Sequence, residues 1–527
     1  MDRGAFDRRR RMGFRTMTHQ EGALSPVSPF QAFMGARAAA WLVVVLVCAV
    51  GLQFLARWMP PLQSPDELSH LVRIASLTER QWVPETKPGS STGGSFDVGL
   101  AALARAYIPV IRDRHAPVPE EDRHLARVQG WTGQTLHGEA PGSAMVLPLA
   151  YAPAALGMAA GRALDLTVLQ SYHLGRLASH VFCLAVLVLA FWLWAPPVLA
   201  VGVLLLPMSL FQMSAPVVDG PAHALTVLVM SMLMRLTAVP SHRLAVAVAA
   251  VLAILVTIRL HLLPLLLMPL WWGWQGMRAG RSETDSGLPM EDGSRILSPQ
   301  VAKTLLAGSV ASTVVIGTWV LWVLLTVVDT RVERPMGTGG VAMHYLTHPQ
   351  DLLAVISATL NDGERLKFLT DSFIGNLGWL DTRLPDEAYP ALWLSLGALT
   401  LLGLPFREPT RGTAADRLLL LLCALLSIVI VFALMLLTWS PFPTEKIEGV
   451  QGRYFIAPAI VMAYALGSWR ASAAMALRGN DPRGVGFPGW SPLQALAVAA
   501  FALLSLWFLV PTLMMRYPAW AYGGLWG

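Results

Sequence analysis

Ser64-Pro65-Asp66-Glu67, followed by His70 and Arg73, is the stretch of this chain best equipped for chemistry. A serine at an N-cap, a proline at the first helical position and a glutamate three residues after the serine form a capping box, which predicts a helix beginning here. The box accounts for Glu67 and leaves Asp66 over, an acid whose place in the first turn also complements the helix dipole. At 100° per residue, Asp66, His70 and Arg73 fall within about 60° of one another on one helix face. Leu68, Leu71, Val72 and Ala75 take the other face, so the helix is expected along the membrane surface. A carboxylate, an imidazole and a guanidinium at a water–lipid boundary suit a reaction in which a hydroxyl loses a proton and a phosphate leaves. The dipole favours an ionised Asp66, and hence a proton acceptor. The same spacing also describes a solvated amphipathic helix with i,i+4 pairing.

Other polar residues stand where apolar runs end. Asp219, between Pro216 and Gly220, is an acid too close to hydrocarbon to be tolerated without water or a partner, unless it caps the following helix. Arg259 and His261 interrupt two apolar runs, and Arg259 must snorkel, pair with an acid or hold an anion such as a lipid phosphate. In Gly375-Asn376-Leu377-Gly378-Trp379-Leu380-Asp381-Thr382, Trp379 and Asp381 are candidate substrate contacts, with interfacial anchoring the alternative for the indole. Gly449-Val450-Gln451-Gly452-Arg453-Tyr454-Phe455 pairs glycines, which let backbone approach a ligand, with an arginine able to grip a phosphate through two donors. An interfacial Arg453–Tyr454 anchor is the plainer alternative. Gly89 to Ser95 reads as a flexible Gly/Ser segment, and the mixed charges of 112–127 read as a solvated face.

His115 and His124 lack partners at a metal-ligand spacing, and no metal ligand is assigned. Asp66, Glu67 and Asp219 offer oxygen for a weak divalent cation but no spacing that defines a site. No Walker loop, dinucleotide fingerprint, HExxH or Gly-x-Ser-x-Gly occurs, which argues against an ATPase pump, a zinc protease and a serine hydrolase.

The elements that must position these residues follow from composition. Of 527 residues, 54% are hydrophobic and 14% charged, against about 25% charged in soluble domains, which excludes a soluble or disordered chain. Cys48, Cys183 and Cys423 all lie in apolar runs, so no disulfide framework is indicated. Apolar runs at 38–56, 143–160, 170–194, 197–213, 220–239, 243–258, 260–275, 304–328, 389–405, 418–439, 453–469 and 492–515 would make twelve spans. Twelve would put the arginine-bearing loops 278–295, 407–417 and 470–483 opposite the seven arginines of the first 37 residues. Short basic loops share the cytoplasmic side. Demoting 143–160, with Pro148 and Pro153, to a re-entrant or interfacial element repairs all three.

The expectation is an all-α polytopic membrane protein of about eleven spans (ten to thirteen), with juxtamembrane helices, the N-terminus cytoplasmic and the C-terminus outside. Residues 1–37 form a disordered basic tail. Residues 38–275 form an N-terminal module with outer loop 57–142, residues 276–302 a cytoplasmic linker, and residues 303–527 a C-terminal module with outer loop 329–388. The formal charge of +6 sits mainly in the tail and calls for no nucleic acid. No internal repeat of the kind that builds inverted-repeat transporters is visible.

Pro65-Asp66-Glu67-x-x-His70, Gly375-x-x-Gly378-Trp379-Leu380-Asp381-Thr382-x-x-Pro385 and Gln451-Gly452-Arg453-Tyr454-Phe455 resemble signatures of the bacterial membrane family called domain of unknown function 2142. The resemblance runs from about residue 40 to about residue 515. That family is in turn similar to the membrane glycosyltransferases of fold C, which include protein mannosyltransferases and the aminoarabinose transferase of lipid A. The resemblance implies a GT-C-like bundle in the cytoplasmic (inner) membrane. It implies transfer of a sugar from a polyprenyl-phosphate donor to a glycan, lipid or protein acceptor at the periplasmic or extracellular face, with inversion. By position, Asp66 matches the proposed general base and Asp219 the acid after the third span. Arg259 falls where relatives more often carry lysine near the lipid phosphate, whereas Arg453 has no firm counterpart. Glu67, His70, Arg73, Arg259, Trp379, Asp381, Arg453 and Tyr454 are the expected substrate contacts, with Asp66 and Asp219 catalytic. The alternative is a non-enzymatic lipid-linked-glycan transporter or envelope-assembly factor on the same scaffold.

Overall fold

The computed structural model describes residues 58–113, 118–286, 297–332, 334–405, 411–467 and 490–518. The basic tail, the expected span 38–56, His115 and the arginines at 295, 407, 470, 478 and 483 lie outside the described residues.

The first outer loop folds as helix α1 (Glu67–Thr78), strand β1 (Gly93–Asp97), helices α2 (Leu100–Arg112) and α3 (Glu120–Val128), strand β2 (Thr135–Glu139) and the short turn α4 (Pro141–Ala144). The strands are antiparallel, with Gly93 opposite Glu139 and Asp97 opposite Thr135. The Gly/Ser segment expected to be flexible is therefore half strand. Its glycines serve close approach: a Cβ on Gly93 would lie 1.8 Å from the Gly138 carbonyl oxygen. Asp97 closes the far end by accepting N–H bonds from Gly99 (2.7 Å) and Gly133 (2.8 Å). Burial pushes its carboxyl up, but these N–H groups together with the N–H and hydroxyl of Thr132 more than offset this and hold it below the usual range.

Helix α1 departs from the surface helix expected. Leu71, Ile74 and Ala75 are in the core, and so are His70 and Arg73 on the polar face. It packs on β1 and on the later helix Ala152–Ala163. Its polar face can be buried because Arg73 donates to the carbonyls of Gln81 (3.3 Å) and Trp82 (2.6 Å), which replace water.

After a 3₁₀ turn (Pro148–Tyr151) come α5 (Ala152–Ala163), α6 (Val168–Leu193), α7 (Val198–Leu204), α8 (Pro207–Met213), α9 (Asp219–Ala238) and α10 (His242–Ile258). A second 3₁₀ turn (Leu260–Leu266) leads into α11 (Leu267–Ser286), so the expected linker at 276–302 begins as helix. Then follow α12 (Pro299–Thr326), α13 (Thr338–Thr347), α14 (Pro349–Leu360), α15 (Gly363–Ile374), strands β3 (Asn376–Leu377) and β4 (Thr382–Arg383), α16 (Ala388–Gly403) and α17 (Arg411–Thr438). A third 3₁₀ turn (Gly452–Phe455), α18 (Ile456–Leu466) and α19 (Pro492–Arg516) complete the described elements.

Local signals explain the boundaries. Thr167 with Gln170 and Ser491 with Gln494 form complete capping boxes at the starts of α6 and α19. Pro207 splits the run 197–213, because the residue before a proline is held out of the helical region, and Leu206 stands at φ −57, ψ 144. The segment 143–160 is similarly divided. Its longest piece, the 12-residue α5, extends only about 18 Å, short of the ~30 Å hydrocarbon core.

Among the described residues, five helices, α6, α9, α12, α17 and α19, are long and apolar enough to cross a membrane. They differ in surroundings: 83% of the α9 window is buried, against 17% for α12. Helix α9 is thus the protein-enclosed centre, packed by α6, α10 and α18, while α12 shows most of its surface outward. The site lies at the start of α9.

Candidate functional site

Four segments converge there: the N-terminal end of α1, the first turn of α9, the residue ending α10, and the turn Gly452–Phe455. Each presents a charge because each is a place where a helix begins or stops and its backbone can turn a side chain aside.

Asp66 stands immediately before α1 with φ 62, ψ 5, a left-handed conformation tolerated better by Asp than by most residues and costing about 1 kcal/mol. Glu67 makes one half of the expected capping box, its Oε2 accepting the Ser64 N–H at 2.9 Å. The other half is absent, since Ser64 Oγ is buried with no partner among the described residues. Glu67 Oε1 instead accepts the Tyr172 hydroxyl. Glu67 is therefore a buried structural acid linking α1 to α6. Asp66 is the one exposed residue between Met59 and Glu67. Its side chain is 53% accessible, and its Oδ2 accepts from Arg453 Nη2.

Arg453 is the hub. Its Nη2 donates to Asp66, its Nη1 reaches Asp219 Oδ2 at 3.4 Å, and its Nε donates to Gln451 Oε1 at 2.5 Å. Asp219, the first residue of α9, uses its other oxygen for Arg259 Nη2. The result is a chain of alternating charge, Asp66–Arg453–Asp219–Arg259, of zero formal sum. The Tyr454 ring lies against both guanidiniums, its centroid 5.0 Å from Arg453 Cζ and 5.9 Å from Arg259 Cζ. Arg453 and Asp219 are almost fully enclosed at 1% and 2% side-chain exposure, whereas Arg259 keeps 19%. Exposure is therefore greatest at the two ends of the chain, one a carboxylate and one a guanidinium.

His70 adds a neutral imidazole behind Asp66, its Nδ1 2.7 Å from the Tyr151 hydroxyl. Burial pulls His70 down to about 4, further than the charges of Asp66 and Asp219 can raise it. Burial raises the Asp66 carboxyl, but the Arg453 charge, the His70 ring and the Arg453 hydrogen bond together hold it below its usual range. At neutral pH the pair is a carboxylate beside an uncharged imidazole.

Of the residues singled out in the sequence, Asp66, His70, Asp219, Arg259, Arg453 and Tyr454 come together. Arg73 does not: besides two carbonyls it bonds Ser76, and it ties α1 to the segment before β1. Asp381 does not either, since it accepts from Arg516 Nη2 at 3.0 Å and from Thr382, fastening the β3–β4 turn to the end of α19. Trp379 donates to the Leu62 carbonyl at 2.9 Å, bracing the segment that leads into Asp66. Gly452 approaches protein rather than ligand: a Cβ there would stand 2.0 Å from the Leu369 oxygen of α15.

Two residues escaped the sequence reading. Tyr151 holds His70, and nothing in its apolar context marks it. His223 lies one turn after Asp219 and interacts with it and both arginines; the i,i+4 spacing was a usable signal. His223 Nδ1 and His261 Nε2 are buried without a partner among the described residues. Among those residues no group of three or more His, Cys, Asp and Glu side chains converges to hold a metal ion. Asp66 and Asp219 already face guanidiniums, so their chemistry does not fit a divalent cation.

Long apolar helices around a buried ionic chain define a polytopic, mainly helical membrane protein with its polar residues gathered at helix ends. The chain belongs to the family described as Predicted membrane protein (DUF2142), whose model matches residues 42–462 and so includes all four charged residues. No curated protein and no solved structure matches it.

Proposed function

We propose that this protein is a membrane glycosyltransferase that moves a sugar from a polyprenyl-phosphate donor to a cell-envelope acceptor. On this reading it crosses the inner membrane about eleven times with its N-terminus cytoplasmic, and Asp66 faces the periplasmic or extracellular side. The supporting observation is the ionised, half-exposed Asp66 carboxylate at one end of a charge chain whose other end is a partly exposed guanidinium.

Asp66 takes the proton as the acceptor oxygen attacks the anomeric carbon. The bond from that carbon to the phosphate oxygen breaks on the opposite side, which inverts the configuration. The bonding pair leaves with the phosphate, and Arg259, backed by Arg453, offsets the charge that develops there. Base catalysis of this kind contributes a factor of about 10²–10⁴, and fixed guanidiniums in a water-poor site add to it. Asp219 positions both arginines.

The test supplies full-length protein in vesicles with a panel of polyprenyl-phosphate hexoses and a cell-envelope extract as the source of acceptor hydroxyls, and measures released polyprenyl phosphate. Wild-type protein should release it and Asp66→Asn should not, with both inserted equally. Release by the variant at the wild-type rate would sink the assignment. The complete pairing of the charge chain favours a second reading, a lipid-linked-glycan transporter or assembly factor in which the ions serve as a latch. That reading expects glycan movement without phosphate release.

A further inference from the structure

The segment 329–388 carries nine acidic and five basic residues, the composition of a loop in water. They are unevenly placed. From Thr338 to Leu360, across α13 and α14, there is no Lys or Arg and a single acid, Asp351. That acid lies 3.1 Å from His344 Nε2 within the same hairpin.

The outward residues of this hairpin are apolar. Met343, Leu346 and Leu353 are all exposed, Leu346 at 76% and Leu353 at 66%. Its inward residues Val341, Tyr345 and Val355 share a cluster with Phe432 and Leu436 of α17. Both lie in the candidate span Ala414–Thr438, Phe432 about 9 Å from its C-terminal end at Thr438.

The face of α17 is informative. Leu418, Leu422, Leu425 and Val429 are exposed and follow one another at intervals of four, three and four, the lipid-facing stripe of a span. Continuing the stripe by three and four gives Phe432 and Leu436, yet these are buried. The cluster holding the α13–α14 hairpin thus begins where the open stripe stops, and the hairpin stands where lipid would otherwise be.

We propose that α13 and α14 are embedded in the outer leaflet of the membrane, with Met343, Leu346 and Leu353 in contact with acyl chains. The lipid-exposed surface then passes from α17 onto the hairpin without interruption. Only the flanks of 329–388, which hold the remaining eight acids and all five basic residues, reach water. This assignment rests on the membrane-spanning character of α17 and not on the proposed chemistry.

The test places a nitroxide at Leu346→Cys and Leu353→Cys, one at a time, in full-length protein reconstituted in phospholipid vesicles, with Cys48, Cys183 and Cys423 replaced. Glu364→Cys and Asp386→Cys serve as aqueous controls. Oxygen partitions into acyl chains and a neutral nickel chelate into water. Residues 346 and 353 should relax faster with oxygen and the controls faster with nickel, so the depth parameter changes sign between the pairs. Nickel-dominated relaxation at 346 and 353 would overturn the proposal. So would a lack of collision with either agent, since that means a protein partner covers the face. All four positions are exposed, so labelling removes no packing, and the controls report a misfolded sample.

Discussion

Arg453 satisfies two carboxylates at once, and the two differ in what its loss would do. Asp66 can turn to water, whereas Asp219 is enclosed and would keep only Arg259. Breaking a buried pair from one side costs about 3–5 kcal/mol because a charge is left without its partner. Arg453→Met should lower stability by roughly that amount, read as the unfolding midpoint in micelles. Adding Asp219→Asn should cost less in the Arg453→Met background than in wild type, because only Arg259 and not both arginines then loses a partner. Additive losses in the double variant would show that the two residues are uncoupled. His70 makes a prediction in pH. Its folded value of about 4 lies below the usual 6.5, so the unfolded chain binds the extra proton between them. The resulting stabilisation is complete above pH 6.5 and lost as pH falls towards 4. His70→Gln should therefore narrow the stability gap with wild type as pH drops through that window, measured from paired melting curves. A constant gap would mean that His70 titrates normally. At this scale the sequence identified most of the cluster, because charges beside apolar runs are few. It does not show that Arg73 and Asp381 lie apart from the cluster, because spacing on a helix or turn does not say which carbonyl or guanidinium will be nearest.

Gly452 shows what an element contributes. Its backbone sits so close to α15 that an added Cβ would meet the Leu369 oxygen at 2.0 Å and the Phe373 nitrogen at 2.3 Å. Both are backbone atoms in a helix and cannot step aside, so Gly452→Ala must displace the turn carrying Arg453. The expected result is loss of phosphate release as complete as that of Asp66→Asn, together with a lowered melting temperature. Trp379→Phe is milder. It removes one hydrogen bond to Leu62, about 1 kcal/mol, and should loosen the approach to Asp66 without unfolding the bundle; full retention of both stability and activity would leave the brace without a role. Caps or prolines mark helix starts at Thr167, Pro207 and Ser491, yet hydropathy alone took 197–213 as one run. The β1–β2 pair was not, because glycines that permit close backbone approach look the same as glycines that confer flexibility.

For the molecule as a whole, the placement of charge predicts sidedness. In a chain without its native cysteines, Glu85→Cys and Glu364→Cys should react with an impermeant maleimide added outside intact cells. Arg278→Cys should react only after permeabilisation. Labelling of Arg278→Cys from outside would reverse the topology and place Asp66 on the wrong face for an envelope acceptor.

Hydropathy by itself determined that this chain lives in a bilayer, because burying so few charges among so many apolar residues admits no other solvent. Local signals marked some helix starts, and the scarcity of charge narrowed the search to a few acids and arginines. Only the tertiary structure decided which of these meet. Asp66 and Arg453 are 387 positions apart in the chain, and no periodicity reaches that far. Their pairing follows from α9 being enclosed by α6, α10 and α18, which brings four helix ends to one point. There, charges excluded from hydrocarbon can be satisfied only by one another.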